Sequence, residues 1–386
     1  MNLQNPNSVS PRDPEEELCW LALRLVPGLG PRNARKLINA LGSVKEVFQA
    51  SISELESIGI APHVVKAMAA GTVFEAASLE AERARQLGIT IVTIRDVAYS
   101  PLLREIFDPP LVLYAKGDLG LLQSPSIAIV GTRRTTAYGR AITTRISEDL
   151  ACRGITIVSG MARGVDSIAH RGALDKGGKT IAVLGTGLDV IYPSENKKLF
   201  EQIAVQGLVI SEFPLGSFPA PQNFPIRNRI ISGISLGVIV VEAAEHSGAL
   251  ITARLAMDQN REVFAVPGAL TNRYSWGPNL LIKQGAKLIQ DWQDVAEELP
   301  SEVRQRLLAV SDATHPNPAA SLFAEGLTEQ EKGIFNLLKI DEAVHIDVIL
   351  DSLPDISSSA ALSSLLELEF KNLIRQLPGK NFVRTF

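Results

Sequence analysis

The sequence predicts an α/β protein organised around a doubly wound, mostly parallel sheet, with a helical domain before it and a small, mainly helical unit after it. Three observations lead there. Short apolar, β-branched runs recur at 127–130, 156–159, 180–184, 208–211, 237–241 and 262–266, alternating with helical segments, which is how strands covered on both faces read. The stretch up to about residue 82 holds helical periodicity without such runs, and the last sixty or so residues read as three helices and two short strands. At 386 residues the chain exceeds one ordinary core, so several domains are expected.

Residues 1–14, with three prolines and little to bury, predict a disordered tail. Structure is expected from Glu15 onward, with a helix over 18–25 and a second over 32–40. Between them lies PGLGPRNARKL (27–37), similar to a helix-hairpin-helix (SAM-like) motif, whose glycine turn can offer backbone N–H groups to a DNA phosphate. A weaker echo, LESIGIAPHVVKA, occupies 55–67. The hairpins either touch DNA or only turn the chain, and Glu54 and Glu56 make the second copy unattractive to phosphate. This helical domain is placed at 15–82.

The runs ITIVTI (89–94) and LVLYA (111–115) read as edge additions to the sheet, within a domain spanning 83–300. Residues 291–308 form an acidic helical stretch and 309–322 have linker composition, which puts the connection at 301–326. Residues 327–386 then predict helices opening at 327–330, 344–350 and 357–371, with strands at 373–377 and 381–384, the pattern of a winged helix. That unit carries nine acids against six Lys and Arg, a net charge of −3. Its third helix, SSSAALSSLLELEFK, lacks the basic face that reading a major groove requires.

Composition narrows the function. The chain is 46% hydrophobic and 21% charged, with no run approaching the ~18 apolar residues of a membrane span. Two cysteines make no disulfide framework and five scattered histidines no ligand cluster, so a reducing cytoplasm and no metal are expected. A net charge of −4 argues against indiscriminate binding along a duplex, so any anion site must be local.

Doubly wound sheets bind ligands at the carboxyl ends of their strands. Four of those ends carry glycine with polar or basic residues: Gly131-Thr132-Arg133-Arg134, the loop of Arg163 and Gly164, Gly185-Thr186-Gly187, and the loop reaching Ser247-Gly248. A dinucleotide fingerprint would need glycine where Arg133 and Thr136 stand, so NAD or FAD does not fit. A P-loop fails in spacing and in its place relative to the strand. All seven basic residues over 126–171 are arginine, the side chain suited to bidentate phosphate contacts. Of these Arg133 and Arg163 fall in strand-end loops, whereas Arg140, Arg145 and Arg153 read as solvated helix face. Arg227, Asn228 and Arg229 open a helix over 223–235, and Ser247-Gly248 open another, whose N-terminus attracts anions. Asp166 and His170, four apart on one helix, read either as an acid/base pair or as a helix-start carboxylate with a satisfied histidine.

Seven ordered segments, VGTRRTTAYG (130–139), SGMARGVDSIAH (159–170), VLGTGLDVIYP (183–193), SEFPLG (211–216), FPIRNRIISGIS (224–235), SGALITA (247–253) and VFAVPG (263–268), resemble the DprA/Smf DNA-processing family. The resemblance runs from about 87 to 289. It implies an extended Rossmann-like fold without catalysis, generally a homodimer, that binds single-stranded DNA and loads the RecA recombinase onto it in natural transformation. It also implies DNA contacts on Gly131 to Arg133, Phe224 to Arg229 and Ser247-Gly248. The candidate binding set is therefore Gly131, Thr132, Arg133, Arg163, Gly164, Phe224, Arg227, Asn228, Arg229, Ser247, Gly248 and Thr252, with Asp166 and His170 as structural or binding residues and no catalytic residue, cofactor or metal. Arg133, Arg227 and Arg229 are expected to converge on one pocket, and Phe224 is the one aromatic expected near a base. The alternative is a nucleoside-monophosphate hydrolase of related fold, using Glu242. It is disfavoured because the Pro-Gly-Gly-x-Gly-Thr run of such enzymes is missing.

Overall fold

The computed structural model of the chain describes residues 13–309, 327–338, 344–353, 356–370, 373–377 and 379–384. The expected tail, but for its last two residues, and residues 310–326 of the expected linker lie outside the described residues. The chain divides into two compact units, Met1–Val310 and Ser311–Phe386.

The first unit opens with six helices, α1 (Pro14–Leu25), α2 (Pro31–Leu41), α3 (Val44–Gln49), α4 (Ile52–Ser57), α5 (Pro62–Ala69) and α6 (Thr72–Gln86). Proline stands in the first turn of α1, α2 and α5, where its missing N–H costs nothing. Ser51 and Glu54 close a capping box on α4. The turn between α1 and α2 needs the positive φ of Gly28, 79°, and its Cα packs so closely on α5 that an added Cβ would sit 3.1 Å from His63 Nε2. Trp20, Leu23, Leu37 and Val65 of these helices belong to one buried cluster with Tyr114, Leu184 and Val209 of the sheet. The helices thus cover a sheet face instead of standing apart.

That sheet has nine strands: β1 (Thr90–Thr93), β2 (Val112–Gly117), β3 (Ser126–Val130), β4 (Thr156–Ser159), β5 (Thr180–Leu184), β6 (Leu208–Ser211), β7 (Gly237–Val240), β8 (Glu262–Ala265) and β9 (Lys287–Leu288), in the order β1-β2-β6-β5-β4-β3-β7-β8-β9. Pairing is parallel from β6 through to β9, while β1 and β2 add on antiparallel at one edge. Side chains alternate between faces, as the period of two demands. Ala128 and Val130 pack with Ile230, Ile231 and Ala253 on one face, and Ile127 and Ile129 with Ile146, Leu150 and Ala169 on the other. Those layers come from α7 (Pro101–Glu105), α11 (Asn223–Gly233) and α12 (Gly248–Asp258) on the first side, α8 (Ala137–Cys152), α9 (Val165–Asp175) and α10 (Lys197–Gln206) on the second.

The topology locates the cleft. From β3 the chain winds through β4, β5 and β6 in one direction, then returns to lay β7 on the other side of β3. Helices connecting to β3's two neighbours therefore diverge, and a crevice opens at the carboxyl ends of β3 and β7. After β9 the chain forms two short helices, Trp292–Glu297 and Ser301–Ala309, where an acidic helical stretch is expected over 291–308, with Leu307 buried.

The second unit contains helices Glu329–Leu337, Ile346–Ser352 and Ser358–Phe370 with strands Val344–His345, Ile374–Leu377 and Asn381–Arg384. The last of these strands lies between the other two in an antiparallel sheet, one strand more than the sequence pattern predicts. Its core holds Ile334, Phe335, Leu365, Leu368 and Phe382.

Candidate nucleic-acid interface

The crevice at the switch point is a cleft of about 820 Å³, lined by the turn after β3, the N-terminal part of α11 and the loop leading into α12. The turn after β3 is fixed by its neighbours. Thr132 N–H donates to Glu242 O at 2.7 Å, and Val165 N–H to Thr132 O at 3.2 Å. The second contact brings Gly164 so near that a Cβ there would stand 2.3 Å from Thr132 O, at a φ of 74°, so only glycine fits. Arg133 is left exposed beyond this turn, its guanidinium 5.6 Å from the centre of the Phe224 ring, a cation–π distance. Tyr192 stands beside Phe224 with ring centres 5.7 Å apart.

Below them lies Arg227, 4% exposed, donating from Nη1 to Val183 O at 2.5 Å while its Nε has no partner. Burial pulls its guanidinium down to about 10, against the attraction of Asp166 and with the help of Arg133. A charged group so placed is under-solvated, and an anion entering the cleft would relieve it. Gly160 makes room for it, since a Cβ there would meet Arg227 Nη1 at 2.1 Å. Asp166 also lines the cleft and accepts from the N–H groups of Gly160 and Ala162 at 3.1 and 3.2 Å. Burial raises its pKa, opposed chiefly by Arg227.

On the opposite wall Ser247 caps α12, accepting from Ala249 N–H at 3.3 Å, so the eleven-residue helix points its N-terminus at the cleft. Asn228 Nδ2 donates to Gly248 O at 3.4 Å, fixing this loop to α11, and Thr252 Oγ1 donates to the same oxygen at 3.4 Å from within α12. The cleft wall around Pro219 and Phe224 follows a loop tied to the N-terminal helices. Arg24 donates to Glu212 O at 3.0 Å, Leu215 N–H to Glu80 Oε1 at 2.7 Å, and Arg83 pairs with Asp189 at 2.5 Å.

The structure thus brings Gly131, Thr132, Arg133, Phe224, Arg227, Asn228, Ser247, Gly248 and Thr252 to one cleft. It does not bring Arg229 there. Residues two apart on a helix point about 200° from each other, so when Arg227 faces the cleft Arg229 faces away. Arg229 is buried, with Nη2 donating to Glu212 at 2.7 Å and Nε to Asp108 at 3.0 Å. The expected three-arginine convergence is corrected to two. Arg163 and Gly164 line an adjoining groove, where Arg163 forms a two-pronged ion pair with Glu195.

His170 is no partner of Asp166. It is completely buried, its Nδ1 sits 2.6 Å from Thr180 Oγ1, and burial lowers its pKa to about 3, helped by Arg227 and Arg171. Glu242 is likewise engaged, accepting from Thr136 N–H at 3.0 Å and Thr136 Oγ1 at 2.5 Å at the start of α8. Sequence reasoning missed Tyr192 as a second aromatic on the cleft. Its signal was the VIYP run after a strand end, an exposed loop aromatic, which has no packing duty there.

Comparisons with known proteins come down on one family. The sequence model described as DNA recombination-mediator protein A matches residues 90–300. DNA processing protein DprA of Bacillus subtilis is 46% identical over 217 residues, 56% of this chain and 73% of that protein. Protein Smf of Synechocystis is 37% identical over 397 residues, covering 96% of this chain and 99% of that one. Among solved structures, DprA from Streptococcus pneumoniae matches with a TM-score of 0.65 at 36% identity, over 75% of this chain and 99% of that chain.

Proposed function

The chain belongs to the family of DNA recombination-mediator protein A, and from that premise we propose that it binds single-stranded DNA, without catalysis, in the cleft at the sheet's switch point. The phosphodiester backbone lies along Gly131, Thr132 and Arg133 and against the α12 N-terminus at Ser247-Gly248. Bases rest on Phe224 and Tyr192. The observation that carries this reading is Arg133, an exposed guanidinium without an ion-pair partner among the described residues, poised over an aromatic ring above a second, buried guanidinium. One phosphate-sized charge beside one stacking surface suits a nucleotide unit in a strand. Affinity then depends strongly on salt and weakly on sequence.

Support for a non-catalytic role comes from the carboxylates and the histidine. Glu242 holds Thr136, His170 is buried against Thr180, and Asp166 is occupied by two backbone N–H groups. The family resemblance extends the proposal to a cytoplasmic homodimer that passes its strand to the RecA recombinase in natural transformation. Among the described residues no helix is long and apolar enough to cross a membrane. An electrophoretic comparison of single- and double-stranded oligonucleotides tests the reading, with preference for the single strand expected. Equal retention of duplex, or release of bases from nucleoside monophosphates, would overturn it.

A further inference from the structure

Beside the cleft lies a second, shallower groove of about 330 Å³ between the turn after β3, the start of α8 and α9. Five arginines line it, Arg133, Arg134, Arg140, Arg163 and Arg171, against one acid, Glu195. Its other lining residues are small, polar or aliphatic, and none is aromatic.

The pairing of arginines in this region is not uniform. On α8, Arg145 and Arg153 both approach Asp149, at 3.8 and 3.9 Å. Arg163 is held by Glu195. The side chains of Arg134, Arg140 and Arg171 are exposed and have no hydrogen bond or ion pair among the described residues. Of the five arginines facing the groove only Arg163 is neutralised by an acid among the described residues, and the other four are left to repel one another. Like charges gathered without counter-charge weaken a fold and favour an external anion. Arg133 belongs to both the cleft and the groove, so the two form one basic track.

Resting on the single-strand reading above, we propose that this groove is a second phosphodiester subsite, into which the strand continues from the cleft across Arg133. Arg134, Arg140 and Arg171 hold its phosphates. With no aromatic lining, the groove grips the backbone alone and leaves these bases turned to solvent, so they stay free to pair while the strand is held.

The test is binding of oligothymidylates from about 4 to about 20 nucleotides, spanning the usual site sizes, to the full chain and to the triple variant Arg134→Ala/Arg140→Ala/Arg171→Ala. All three side chains are exposed, and circular dichroism checks the fold. The wild-type protein should gain affinity with length beyond what fills the cleft. The triple variant should match it on the shortest strands and fall about 10- to 100-fold behind on the longest, its salt slope there reduced by about 2, or roughly 0.7 per lost contact. A triple lysine variant should recover most of the loss. Equal affinity at every length, or equal loss at every length, would overturn the proposal. So would a loss of thymidine monophosphate binding that matches the long-strand loss, since that marks a free-nucleotide site. Wild-type protein that binds no strand sinks the single-strand reading itself, whereas normal binding by the triple variant sinks only the second subsite.

Discussion

Replacing Arg229 by Ala should damage the fold and spare the cleft. The side chains of Arg229 and Glu212 are 6% and 4% exposed, and Nη2 donates to the carboxylate at 2.7 Å. Removing the guanidinium leaves Glu212 buried with no counter-charge, a loss of about 3–5 kcal/mol. The second partner, Asp108, is 43% exposed, and its share is at most about 1 kcal/mol after solvent screening. Tryptophan fluorescence during urea unfolding reads this directly, because Trp20, Trp276 and Trp292 are the chain's 3 tryptophans and all lie in the first unit. The midpoint should fall by about 1 M or more. The double variant Arg229→Met/Glu212→Gln should recover much of the loss, since both buried charges go together. Under conditions where Arg229→Ala is folded, its single-strand affinity should stay within a few-fold of wild type. A variant of normal stability that has lost DNA binding would refute the helix-phase reasoning and return Arg229 to the cleft.

Two further outcomes are expected. His170 is depressed to about 3 in the fold, chiefly by burial, so below its ordinary value near 6.5 the unfolded chain takes a proton that the folded chain refuses, and stability falls as pH falls. Relative to His170→Gln, the wild-type protein should lose about 2 kcal/mol between pH 7 and pH 5, and parallel curves in urea titrations would contradict this. Asp166, raised by burial, acts with the opposite sign in both proteins and cancels in the difference. A chain ending at Ala309 should keep single-strand affinity within a few-fold in fluorescence anisotropy, because the −3 charge of residues 327–386 repels phosphate and suits protein contact or packing. A loss on the order of 100-fold, about 2.7 kcal/mol, would show that the second unit holds DNA.

The sheet was legible because its parallel strands from β3 to β8 are mostly buried apolar runs, whereas β9 is only Lys287 and Leu288, half exposed, and carries no such run. Its strand-end loops were legible for the same reason: polar Gly131 to Arg133 and Ser247-Gly248 interrupt a pattern that otherwise explains itself. Helix phase was present in the sequence too, since Arg227 and Arg229 are two apart, but proximity in sequence outweighed it. The groove was harder to see. Asp149, four residues after Arg145, marks that arginine as paired on its own helix, but only the packing of α9 beside Arg140 shows an open basic face there. The VIYP run marks Tyr192 as a loop aromatic, but its meeting with Phe224, 32 residues further along, is a long-range contact that the run does not encode.

The most direct test of the cleft is the salt-dependent affinity of Arg133→Ala for a labelled oligothymidylate, measured by fluorescence anisotropy beside the wild-type protein. Arg133 is exposed and carries no ion pair among the described residues, so its loss should leave the fold intact. A charge-assisted contact to phosphate, together with the stacking it shares with Phe224, puts the expected weakening at about 1–3 kcal/mol, roughly 5- to 150-fold, with a shallower dependence on salt. Unchanged affinity and unchanged slope in a folded Arg133→Ala protein would contradict the account.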